Sequence, residues 1–207
     1  MSYLNDEEIS LCKKTFTDYC KNKFENLKII KHEGFNCRYN RGLIMTEEER
    51  LQLLNWSINI MPITEKLRFR RLAYFFGNDK SNVIDLVFEI KKRIEEKEQL
   101  SLYEEESKLK HFIGYIFPGG KIHKHRDTND EDRKLYHIRY NVFLLDPNLN
   151  TYYDNNILDS SEGTYALCRS GIDYHWTITN DELLPRISLS FGYMVPKWKL
   201  DELLPEK

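Results

Sequence analysis

The sequence lacks an excess of either charge: 31 Lys and Arg stand against 33 Asp and Glu, a formal net charge of −2. General nucleic-acid binders carry a basic bias, so the composition does not point to that class, although a local basic patch stays open. No apolar run approaches the roughly 18 to 20 residues that cross a bilayer, and no membrane partner is expected. The four cysteines, Cys12, Cys20, Cys37 and Cys168, form neither a C-x-x-C pair nor a zinc-like spacing. That usage predicts reduced thiols and a cytoplasmic, intracellular protein. Met1 to Glu8 is polar and acidic, so no signal peptide is expected. Internal repeats and low-complexity segments are also missing.

What is present is enough for a folded core. The chain has 207 residues, 41% of them hydrophobic and 13% aromatic. This composition opposes disorder and fits one domain, or one core with an extension.

The texture changes near residue 110. Before it, helical spacing dominates. Asn5 is placed to cap a helix carrying Ile9, Cys12, Phe16, Tyr19 and Phe24. Thr46 and Glu49 form a candidate capping box opening a helix through Leu51, Leu54 and Ile58. A third helix is predicted from Ser81 to Leu100. Residues 66–76, with Arg68, Arg70 and Arg71 alternating with apolar neighbours, read as a solvated edge strand, with an acidic or nucleic-acid partner as the alternative.

From Lys110 the segments are short, β-branched and aromatic, with turn residues between them. Strands are predicted at 110–117, 120–124, 135–145, 150–154, 163–168, 173–179 and 185–194. The fold class is therefore α+β, mainly β with a helical N-terminal half. Residues 1–109 form a helical region that packs on a sandwich or jelly-roll core at 110–207, together one compact unit.

Four of the six histidines fall between His111 and His137. The densest cluster is I-H-K-H-R-D, residues 122–127. In an extended segment, residues i and i+2 point to one side, so a histidine and Asp127 can converge on one ion. His123 and His125 share that parity, and both remain candidates on spacing alone. The third ligand must come from another strand, and His175 lies in the next-to-last strand-like segment. Two imidazoles and one carboxylate on one face of an ion leave positions open for a chelating cosubstrate and O2, the arrangement of non-haem iron(II) oxygenases.

The stretch Y-I-F-P-G-G-K-I-H-K-H-R-D, residues 115–127, resembles the metal-binding segment of the Fe(II)/2-oxoglutarate-dependent oxygenases. It is most similar to their prolyl-hydroxylase-like branch, and the likeness selects His125 over His123. H-W-T-I-T-N-D-E-L-L-P-R-I-S-L-S-F, residues 175–191, resembles the family's distal segment, where an R-x-S follows the second histidine. The resemblance covers roughly residues 110–195. It implies a double-stranded β-helix flanked by helices, with iron(II) on His125, Asp127 and His175. It implies 2-oxoglutarate and O2 as cosubstrates, and Arg186 and Ser188 on the distal 2-oxoglutarate carboxylate, with Tyr115 donating to the same group. A guanidinium grips a carboxylate bidentately, which suits Arg186 to the task. The implied reaction hydroxylates a C–H bond of an amino-acid side chain, free or in a peptide. A cupin-like metal binder, or a metal-dependent isomerase without O2 chemistry, is the alternative.

Strand 135–145 alternates His137, Arg139, Asn141 and Phe143 with Ile138, Tyr140, Val142 and Leu144. Arg139 and Asn141 are candidate contacts for 2-oxoglutarate or substrate, unless that polar face meets water. Trp176, opposite in parity to His175, is expected in the core. Cys168 is expected as a buried thiol and His123 as a surface residue. His111 and His32 have no special context.

Overall fold

The computed structural model describes residues 4–25, 39–61, 72–75, 83–146, 151–154, 156–178 and 184–204. His32, Cys37, Arg68, Arg70, Arg71 and the Asn180-Asp181 turn lie outside them. Among the described residues are four helices: α1 (Asp6–Glu25), α2 (Glu47–Ile60), α3 (Asp85–Glu98) and α4 (Lys197–Leu203).

Local chemistry sets the helix starts. Asn5 and Glu8 exchange side-chain and backbone hydrogen bonds across the first turn of α1. Thr46 and Glu49 form the same reciprocal box on α2, with bonds of 2.8 and 3.2 Å. Helix α3 ends at Gln99, which adopts a left-handed conformation. None of the described helices is long and apolar enough to cross a membrane.

Two antiparallel sheets face each other. The larger has the order β1 (Asn40–Leu43), β9 (Thr164–Cys168), β6 (Leu135–Leu145), β11 (Arg186–Pro196), β4 (His111–Ile116) and β2 (Leu72–Phe75), with β3 (Glu104–Glu105) also paired to β11. The smaller has the order β5 (Lys121–His125), β10 (His175–Ile178), β7 (Thr151–Tyr153) and β8 (Asn156–Ile157). This is a jelly-roll arrangement. The seven strands read from the sequence are all present, and β6 has the bounds read for it. The segment before residue 110 contributes α1, α2 and α3, and also β1, β2 and β3 to the larger sheet.

Helices α2 and α3 cover one face of the larger sheet. Tyr115 on β4 donates to the Ser57 carbonyl of α2 at 2.8 Å. Tyr165 on β9 and Tyr193 on β11 donate to Glu98 and Glu95 of α3. Leu51, Leu54, Val87, Ile90 and Ile94 are fully buried in the same cluster as Ile113, Ile138, Val142 and Leu189. Each such side chain contributes about 1.5–3 kcal/mol. Arg50, also fully buried, ties α2 to the end of β6 through the Leu144 carbonyl at 2.6 Å, with Glu47 and Glu162 balancing its charge. The opposite face of the larger sheet is turned toward the smaller sheet and carries the polar residues.

Candidate metal centre and adjoining cavity

Strands β5 and β10 pair so that His125 and His175 stand directly opposite each other. Their ring centroids are 4.2 Å apart. Strand β5 ends at His125, and Asp127 follows in the loop, its backbone N–H donating to the Ser170 carbonyl at 2.7 Å. His125, Asp127 and His175 each offer a ligand atom, and these atoms lie within 4.8 Å of one another. His123 is exposed on β5, as expected.

The tautomers follow from the backbone. His125 Nδ1 lies 2.7 Å from the His123 carbonyl, and His175 Nδ1 lies 3.3 Å from the Asp173 carbonyl. A carbonyl only accepts, so both protons sit on Nδ1 and both Nε2 atoms keep a lone pair for a metal. Burial holds His175 below its ordinary value, which favours the neutral ligand form. A divalent ion with open positions fits this donor set.

Asp127 is held from behind. Its Oδ2 lies 3.4 Å from His137 Nδ1 and 3.6 Å from Arg139 Nε. Burial, then the charge of Arg139, pushes His137 down to about 4, so its ring is neutral at physiological pH. Arg139 is itself paired with the buried carboxylate of Glu106 at 2.9 Å. Burial acts to raise Glu106, but the N–H groups of Leu109 and Lys108, together with Arg139, keep it below the usual carboxylate value.

Beyond the triad lies a cavity of about 340 Å³, lined among others by Asn141, Thr151, Tyr153, Thr177, Arg186 and Ser188. The polar face of β6 therefore meets this cavity rather than bulk water. Asn141 donates to the Tyr153 hydroxyl. Arg186 is buried, with Nη1 3.4 Å from Ser188 Oγ and Nε 3.1 Å from Asp146 Oδ2. Asp146 is also buried, and Thr151 donates to it at 3.4 Å.

Tyr115 requires a correction. Residues alternate along β4, and Gly114 and Ile116 are the ones that line the cavity. The Tyr115 phenol points the other way, to Ser57 of α2, and cannot reach a ligand beside Arg186. Tyr153 on β7 is the phenol that faces the cavity, and burial holds its hydroxyl well above the ordinary value. Trp176 is likewise not in the core. Its indole stacks on Tyr152 on the outer face of the smaller sheet, centroids 4.8 Å apart and planes within 2°, with Lys124 Nζ 4.8 Å from the ring. Cys168 is a free, buried thiol, pushed up by burial.

A wider groove of about 690 Å³ adjoins the cavity and shares Leu109, Asp127 and Arg139 with it. Side chains of both charges line it, including Glu104, Lys108, Arg126 and Arg133.

Spacing did not single out Asn129, Asp146, Tyr153 or Glu106. Tyr153 carries a readable signal, because it shares parity with Thr151 on one face of β7. Asp146 stands in an Asp-Pro-Asn stretch and reads as a turn residue.

No family model matches the chain, and no curated protein does. Solved structures with the same fold include the viral collagen prolyl hydroxylase of Paramecium bursaria Chlorella virus-1 in its 2OG complex. It is 15% identical, with a TM-score of 0.51 over 77% of this chain and 96% of that one. A truncated form of the same enzyme gives 15% identity and a TM-score of 0.50, over 80% and 100% of the two chains. A Pseudomonas putida prolyl-4-hydroxylase is 11% identical, with a TM-score of 0.46 over 76% and 91%. At this identity the likeness shows the fold alone: this chain has the same jelly-roll fold as the viral collagen prolyl hydroxylase.

Proposed function

We propose that the chain is an Fe(II)- and 2-oxoglutarate-dependent dioxygenase that hydroxylates a C–H bond of an amino-acid side chain, peptidyl or free, with release of succinate and CO2. One observation carries this reading: the ligand atoms of His125, Asp127 and His175 converge beside a cavity that also holds Arg186 and Ser188. A cupin-like binder has no need of a guanidinium in that place.

Bound iron(II) supplies the means to couple O2 reduction to cosubstrate decarboxylation. The protein's own part is binding, orientation and shielding. His125, Asp127 and His175 would hold the metal. His137 and Arg139 flank the Asp127 oxygen that faces away from His125. Arg186, with Ser188 beside it, receives the distal carboxylate. Arg139 and Asn141 line the space between, within reach of cosubstrate or substrate. The adjoining groove is open enough to take a peptide. Residues 1–109 and 110–207 act as one catalytic unit, a reading supported by the entry of β1, β2 and β3 into the larger sheet. We place this activity in the cytoplasm, in keeping with the cysteine usage.

The test is turnover. Iron(II)-loaded protein is incubated with 2-oxoglutarate, O2 and a peptide library, and succinate is measured. Substrate-stimulated succinate formation, absent in His175→Ala, is the expected result. Tight iron binding with no 2-oxoglutarate consumption under any condition favours the isomerase or binder instead.

A further inference from the structure

Arg186 does not enter the cavity as an unbalanced cation. Its Nε is 3.1 Å from Asp146 Oδ2, and both side chains are more than nine-tenths buried. Asp146 sits behind Arg186 and does not line the cavity itself. Thr151 donates to the same carboxylate oxygen, and the guanidinium lies over the Phe143 ring, 5.6 Å from its centroid. The pair is thus fixed in place and enclosed, where charges are weakly screened.

The charges near the cavity nearly cancel. A metal is bound by neutral imidazole, so a divalent iron on His125, Asp127 and His175 would keep a single positive charge. The keto-acid carboxylate of a cosubstrate cancels that charge. Arg139 is balanced by Glu106 and Arg186 by Asp146. A second carboxylate at the far end therefore adds a negative charge that no side chain among the described residues lining the cavity offsets. A 2-oxo acid with an uncharged tail leaves the account even, and finds Arg186 Nη1, Ser188, Thr151 and Asn141 for hydrogen bonding.

We propose that Asp146 is a specificity-determining residue: by neutralising Arg186 from behind, it removes most of the advantage of a distal carboxylate. The site then takes 2-oxo acids with an uncharged, hydrogen-bonding tail about as readily as 2-oxoglutarate. This rests on reading the cavity as a cosubstrate site. It moves the cosubstrate preference onto a residue other than the guanidinium itself.

The test is calorimetric binding to the manganese(II)-loaded protein, with no turnover involved. The ligands are 2-oxoglutarate and its 5-methyl ester, which keeps the distal carbonyl acceptor and loses the charge. In the unaltered protein, the two Kd values are expected within about tenfold of each other. Asp146→Asn keeps an acceptor for Arg186 Nε and removes the charge. It is expected to tighten 2-oxoglutarate by about tenfold or more and to leave the ester nearly unchanged, as the loss of a close like charge requires. An unchanged ratio, or weaker 2-oxoglutarate binding in Asp146→Asn, overturns the proposal. If that variant fails to fold, the unaltered protein decides alone: a preference for 2-oxoglutarate above about tenfold overturns it. Binding of neither ligand to metal-loaded protein overturns the cosubstrate reading of the cavity, which is a different failure.

Discussion

Asn129 is packed so tightly on Gly171 that a Cβ added to the glycine would lie 1.8 Å from Asn129 Oδ1. The same amide donates to the Gly171 carbonyl at 3.0 Å and accepts the His137 backbone N–H at 2.9 Å. It thereby staples the loop bearing Asp127 to the turn between β9 and β10, beside the Asp127 to Ser170 backbone bond. The consequence is a pair of variants with one phenotype. Asn129→Ala and Gly171→Ala should each keep the fold and weaken metal affinity by about tenfold, at the lower end of what loss of supporting contacts costs. Metal titration alongside thermal unfolding checks this. Unchanged affinity in both would remove the staple from the account.

His123 and His125 are separated by one residue and differ in role. His125 faces His175, whereas His123 is exposed and offers its carbonyl to His125. His175→Ala should abolish iron binding, and His123→Ala should be nearly silent, since its carbonyl is kept. A dead His123→Ala protein with normal His125→Ala would mean the wrong histidine has been assigned.

Arg186→Ala should retain the metal and lose most 2-oxoglutarate affinity. The change also strands the buried Asp146 carboxylate. Removing one partner of a buried pair costs about 3–5 kcal/mol, so the variant should also unfold at lower denaturant. Equilibrium denaturation and cosubstrate titration separate the two effects. Normal stability would show that Asp146 is solvated in the variant.

Tyr115→Phe tests the corrected orientation of that residue. The phenol serves α2 and not the cavity. Loss of its bond to the Ser57 carbonyl should cost about 1 kcal/mol of stability and leave 2-oxoglutarate affinity unchanged. A large drop in cosubstrate affinity would return Tyr115 to the site.

Much of this was legible in the sequence, for reasons that vary by residue. Strand β6 has eleven residues, long enough for its two faces to separate by parity, so the pocket-facing Arg139 and Asn141 could be named. The spacing of His125 and Asp127 is short-range and needs only an extended backbone. The Tyr115 role came from the resemblance alone, and β4 offers no parity signal against it, because both its faces are covered and its burial hardly alternates. Which face Tyr115 shares with Arg186 depends on the register of β4 against β11, where Arg186 meets Ile116, and register is a long-range fact. Trp176 shows another gap: parity places it opposite His175 but cannot say that the outer face of the smaller sheet is open. Strands β1, β3 and β8 span four, two and two residues, too few for any period to show. Asp146 was invisible as a buried partner because burial of a charge leaves no local pattern.

The most direct measurement is an anaerobic titration of 2-oxoglutarate into the iron(II)-loaded protein, followed by visible absorption. The expected result is a weak metal-to-ligand charge-transfer band that saturates with 2-oxoglutarate and is absent in His175→Ala. Iron binding without any such band would contradict chelation of a 2-oxo acid at His125, Asp127 and His175, and with it the central claim.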